Sequence, residues 1–184
     1  MAGSGINETP GFIAVETGDD NGLPLAIAWT LPDGRIKHTL IQPDDDWLEN
    51  EMVSLGGYSL EELNSIGVSP LDVIRELEND HFSETLYTAG VSDDEAAISR
   101  IFDTYGLDPF VELAPAESLY RDLGPGDWAR ARGDLFSEMG LEPLRPEHEV
   151  EVMLYLHQRL VPGGEAHEAT PFDGRLMEGD DLED

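Results

Sequence analysis

Three short β-forming runs follow one another within residues 11–43, and they rule out an all-helical fold at once. The first, Gly11-Phe12-Ile13-Ala14-Val15-Glu16, reads as a buried strand that ends in an acid and the turn-forming Thr17-Gly18. The second and third, 23–31 and 35–43, flank Pro32-Asp33-Gly34 and read as a hairpin. Downstream the pattern changes. Ser59 followed by Glu62 has capping-box spacing, and Ser69-Pro70 opens a helix through 79 with Leu71, Val73, Ile74 and Leu77 on its apolar face. A strand over 84–89 precedes a helix capped by Ser92, whose buried stripe is Ala97, Ile98, Ile101, Phe102 and Tyr105, with Gly106 as its stop. A strand over 108–113 comes next, then helices over 115–122, 127–139 and 146–160, the last turning Val150, Met153, Leu154 and Leu156 inward. The order β-β-β, helices, β, helix, β, helices suits an α/β fold: a mixed central sheet with helices on both faces.

The chain of 184 residues is the length of one domain, and a 40% hydrophobic content supports a core. The expected division is a flexible segment over 1–10, a folded domain over 11–161, and an acidic, Gly-bearing disordered tail over 162–184. There is no cysteine, which excludes disulfides and thiolate metal sites. No apolar run matches a membrane span and no signal-peptide pattern opens the chain, so a soluble cytoplasmic protein without membrane association is expected.

Charge is the outlier. The formal net charge is −30, and Lys37 is the single lysine. Nucleic-acid binding normally rests on Lys and Arg neutralising phosphates, so weak or no binding of nucleic acid is expected. Three readings of the acidity stay open. It suits a salt-rich, halophilic cytoplasm that screens self-repulsion, a solvated acidic face without special meaning, or a mimic of nucleic-acid charge that occupies a basic partner.

Several stretches share an order and spacing. They are Glu16 at the end of the first strand, Leu31-Pro32-Asp33-Gly34, and Leu40-Ile41-Gln42-Pro43 followed by Trp47. Next come Gly57-Tyr58-Ser59 followed by Leu63, then Tyr87-Thr88-Ala89 followed by Asp94, Ile98, Ile101 and Phe102, and last Arg145, His148 and Glu149. Together, over roughly residues 11–160, they resemble the RNase H-like 3′–5′ exonucleases, the DEDD or DnaQ-like proofreading family. The resemblance implies an RNase H-like fold. It also implies a centre in which four carboxylates hold two Mg²⁺ or Mn²⁺ ions, one activating water and the other stabilising the leaving oxygen. Relatives of this fold often dimerise, so a homodimer is a further implication.

Set against that family, the centre is incomplete. Glu16, Asp94 and Glu149 stand at three carboxylate positions and mark a vestigial or weak metal site, with Asp93 beside Asp94. Ala14 stands where the family has an Asp touching both ions, and Leu144 where it has the general-base His. Losing a general base alone removes roughly 10²–10⁴-fold of rate. His148 is four residues late for that role and is expected on the surface, and the other histidines have no metal-site spacing. Each carboxylate also has a purely structural account: Glu16 as a strand-end acid, Asp93, Asp94 and Glu149 as acids favoured in a helix's first turn. Trp29, Trp47 and Trp128 are expected in or at the rim of the core.

The sequence therefore favours a degenerate exonuclease-like protein without nuclease activity, acting as a binding or scaffold protein on an unknown protein partner and needing no cofactor. An active Mg²⁺- or Mn²⁺-dependent exonuclease on single-stranded DNA or RNA, with Glu16, Asp94, Glu149 and Asp19 as ligands, is the first alternative. An acidic mimic that inhibits a nucleic-acid-binding enzyme is the second.

Overall fold

The computed structural model describes residues 9–18, 23–49 and 53–161. Among them are five strands: β1 (Gly11–Thr17), β2 (Pro24–Thr30), β3 (Ile36–Leu40), β4 (Thr85–Thr88) and β5 (Glu112–Pro115). Five α-helices accompany them: α1 (Leu60–Ile66), α2 (Pro70–His81), α3 (Asp94–Asp103), α4 (Asp127–Met139) and α5 (Pro146–Leu160). The strands form one sheet in the order β3-β2-β1-β4-β5. β1 and β2 pair antiparallel, as do β2 and β3, while β4 runs parallel to both β1 and β5. This is the mixed α/β architecture, with helices on both faces of one sheet, that the order of elements in the sequence implies.

The sheet separates two cores. Ile13 and Val15 of β1 join Leu25, Ile27 and Trp29 of β2 against α2 and α3. On the other face Phe12 and Ala14 join Ala28, and α4 and α5 close over them through Trp128, Leu135, Phe136, Val150, Val152, Met153 and Leu156. Both faces are covered, so every residue of β2 is buried, which is why 24–30 is a continuous apolar run and not an alternating one. Bulk is divided unequally: the large β2 side chains face α2 and α3, whereas small Ala14 and Ala28 face α5 and leave room for that helix. All three tryptophans are buried, as expected.

Local chemistry accounts for most element ends. Ser59 and Ser69 cap α1 and α2, each accepting from the backbone N–H three residues on, and Pro70 opens α2. Other boundaries depart from expectation. Helix α3 is capped by Asp93 and not Ser92: the Asp93 carboxylate accepts from the Ala96 N–H. Tyr105 lies beyond that helix, 37% exposed, because the helix stops at Asp103 and the Tyr105 hydroxyl accepts from the Leu71 N–H. The strand expected over 108–113 is displaced to Glu112–Pro115, since it must meet Thr85–Thr88 and Pro109 has no N–H to give a ladder. The helix expected over 115–122 shrinks to a 3₁₀ turn, Ala116–Leu119, ahead of the helix-breaking Gly124-Pro125-Gly126. In α5, Val152 is buried and Leu154 only half-buried. The tail over 162–184 and most of the segment over 1–10 lie outside the described residues.

Candidate functional site

The site forms where β1 outruns its parallel neighbour. β1 and β4 pair only at Gly11–Leu86 and Phe12–Tyr87. Beyond Phe12 the two strands part, and backbone donors of β1 on that side need other acceptors. Asp94, the first residue of α3, fills that need: its Oδ1 accepts from the Val15 N–H at 2.9 Å. Asp94 is only 5% exposed, and burial pushes its carboxyl up to about 6, against the lowering effect of the Val15 N–H. The charge of Glu149 pushes in the same direction as burial, so the two carboxylates lie within electrostatic reach of each other.

Glu149 sits in the first turn of α5 and is 3% exposed. Its partners come from two directions. From α4, Arg132 spans both oxygens: Nε donates to Oε1 at 3.0 Å and Nη2 donates to Oε2. From the turn before α5, the Leu144 N–H donates to Oε2 at 2.8 Å. The Arg132 guanidinium lies over the Phe136 ring, 4.8 Å from its centroid. A planar fork on a carboxylate, backed by an aromatic face, is the arrangement in which Arg holds its geometry best.

Glu16 is half-buried near the end of β1, on the α5 side with Ala14, two residues away. Its Oε1 accepts from the Tyr58 hydroxyl at 2.8 Å. Burial raises the Tyr58 pKa, and the bond to Glu16 raises it further. Arg145 lies in the same neighbourhood: the charge of Glu147 raises its pKa most, with Tyr58 and Glu16 adding to the effect. The Glu147 carboxylate is 3.4 Å from Arg145 Nη2 and 3.3 Å from His38 Nε2.

The remaining expected residues are placed as follows. Ala14 is 5% exposed and packs into the α4–α5 core as a small apolar side chain. Leu144 is 55% exposed with φ of +74°, and its backbone faces Glu149. His148, expected on the surface, is half-buried because its Nδ1 accepts from the Glu142 N–H and closes the turn before α5. Asp93 serves as a helix cap. Asp19 falls outside the described residues.

Asp94 and Glu149 lie within electrostatic reach of each other, and all three carboxylates are already engaged: Glu16 by Tyr58, Asp94 by the Val15 amide, and Glu149 by Arg132 and the Leu144 amide. Hard cations such as Mg²⁺ and Mn²⁺ need carboxylate lone pairs that are free and uncompensated charge around them. Position 14 offers no oxygen, and Glu149 is claimed by a guanidinium and an amide. Among the described residues no group of three His, Asp or Glu side chains is arranged to hold a metal ion. These residues do not fit a two-metal centre.

Sequence reasoning missed Arg132, whereas Arg145 fell within the last of the shared stretches. Arg132 is 17 residues from Glu149 on another helix, a separation that no motif encodes. The one available signal was scarcity: a chain with ten basic residues among forty acidic ones places few cations by accident.

No family model and no curated protein matches this chain. Among solved structures it is similar to a Mopeia virus exonuclease domain partially complexed with manganese, at 16% identity over 72% of this chain and 61% of that one, with a TM-score of 0.41. A second structure of that viral domain, soaked with alendronate, gives 17% identity over 72% and 58%, with the same TM-score of 0.41. The chain spans about three fifths of the length of these neighbours. Likeness at that level assigns no chemistry to this chain; what can be said of the site comes from its own residues.

Proposed function

We propose that this chain is an exonuclease-like domain without nuclease activity, and that it acts as a binding or scaffold protein. The observation that carries the reading is the Glu149 carboxylate, buried and bonded to the Arg132 fork and the Leu144 amide. Ala14, where the resembled family has a bridging Asp, supports it. Leu144, in place of a general base, supports it again, because it turns its side chain to solvent.

The charge supports a protein partner over a nucleic acid. Arg35, Lys37, Arg75, Arg130, Arg145 and Arg159 each lie within 4.0 Å of a carboxylate of the same chain. A nucleic acid would have to break such pairs to be neutralised, against a net charge of −30. The excess acid faces outward, so the partner surface is cationic.

The test is to titrate Mn²⁺ and Mg²⁺ into the chain as it stands by calorimetry, at low and at molar salt. Alongside, labelled single-stranded DNA and RNA are incubated with each metal. Neither heat of binding nor digestion is expected. Metal-dependent digestion that disappears in Glu16→Gln would overturn the reading.

A further inference from the structure

Arg132 is anchored in three ways. Its Nε and Nη2 both reach Glu149. Its guanidinium rests over Phe136. Its side chain is 13% exposed, set between α4 and α5. A carboxylate offers about four lone-pair positions. The two Arg132 donors and the Leu144 amide take three of them. The guanidinium charge is permanent at any pH a protein survives. The neutralisation that a divalent ion would give Glu149 is thus already provided by the chain. Arg145 near Glu16 is a looser counterpart: 42% exposed, and shared with Glu142 and Glu147.

We infer that Arg132 is the resident cation of this site: it neutralises Glu149 permanently and closes that carboxylate to divalent ions. Ala14 is then not the sole block. Restoring a carboxylate at position 14 does not restore metal binding while Arg132 remains. This rests on the reading above that the chain as it stands binds no metal.

The experiment compares wild type, Ala14→Asp, Arg132→Met and Ala14→Asp/Arg132→Met. Each is titrated with Mn²⁺ by calorimetry, and its melting temperature is followed with and without Mn²⁺. Met keeps the side-chain stem and removes the charge. The double variant is expected to bind Mn²⁺ at least about tenfold more tightly than Ala14→Asp, because a fixed cation within contact distance of the ion has gone. Mn²⁺ is also expected to raise the melting temperature of the double variant and of no other protein in the set, a readout that a purely structural arginine would not move. If Ala14→Asp alone binds as tightly as the double variant, the resident-cation inference is overturned and the no-metal reading stands. If wild type binds Mn²⁺, the no-metal reading itself falls. Should Arg132→Met fail to fold, Ala14→Asp/Arg132→Lys takes its place. A lysine has no fork and can swing its ammonium away, so Mn²⁺ affinity above that of Ala14→Asp is expected. Equal affinity would again overturn the inference.

Discussion

Replacing Arg132 by Met, with the rest of the chain unchanged, tests how Glu149 is held. The substitution removes two of the three hydrogen bonds to the carboxylate and leaves only the Leu144 amide. Because Met preserves most of the packing on Phe136, the loss is electrostatic. Glu149 is 3% exposed and cannot turn to water, so it becomes a buried charge without a counterion. Breaking a buried pair from one side costs about 3–5 kcal/mol. For a domain of this size each kcal/mol lowers the melting temperature by about 2–4 °C, giving a fall of roughly 6–20 °C. The reverse change, Glu149→Met, is milder, because the Arg132 head sits nearer the surface on a flexible stem and can turn outward; about 1–3 kcal/mol is expected. Arg132→Met/Glu149→Met together leave no charge unpaired and are expected within about 1–2 kcal/mol of wild type. Urea unfolding at pH 7, read as midpoint and slope, supplies the cycle. Molar KCl should not shrink the coupling, since buried pairs are little screened. A loss below about 1 kcal/mol for Arg132→Met, with an unchanged slope, would mean that Glu149 is solvated, and the account of the closed site would fail.

Three further outcomes follow from other residues. The Asp94 carboxyl is raised in the fold to about 6 from 3.8, so the folded chain holds this proton more tightly than the unfolded one. Stability from this group is therefore gained as pH falls from about 7 toward about 4, and at pH 7 its charge costs about 3 kcal/mol. Asp94→Asn keeps an oxygen for the Val15 N–H and removes the charge; the difference in unfolding free energy from wild type should favour Asn at pH 7 and vanish near pH 4. Gly11→Ala would set a Cβ 2.6 Å from Leu86 Cδ2 and 3.0 Å from His81 Cε1. Leu86 is fully buried and His81 is pinned between the Thr30 carbonyl and Glu84, so a loss of about 1–3 kcal/mol is expected, read by thermal melting. With a net charge of −30, the wild-type melting temperature should rise steadily between 0.05 M and molar KCl, and a flat profile would contradict net self-repulsion.

The fold was legible in the sequence wherever a local rule decided it. The two β-forming runs around Pro32-Asp33-Gly34 marked the hairpin of β2 and β3, and Ser59, Ser69 and Pro70 marked helix starts through bonds within a single turn. Competition between equivalent local choices was not legible. Ser92 and Asp93 can both cap a helix, and the Val15 backbone decided the matter by drawing Asp94 inward and leaving Asp93 at the cap. At the site, spacing pointed to the carboxylates at 16, 94 and 149 but not to what each would meet. Tyr58, Arg132 and Leu144 reach those oxygens across 42, 17 and 5 residues. Such partnerships depend on how α4, α5 and β1 pack, which no periodicity carries.

The turn before α5 adds a last point. Leu144 is an apolar residue held in the left-handed backbone region at φ of +74°, with its side chain 55% exposed to water. Neither choice favours the residue itself: left-handed backbone in a non-glycine residue costs about 1–3 kcal/mol when the surroundings impose it. What the conformation achieves is to aim one amide at Glu149 Oε2. Here one strained residue completes the hydrogen bonding of a single buried carboxylate, so part of the cost of burying Glu149 is carried by the backbone of the turn before α5.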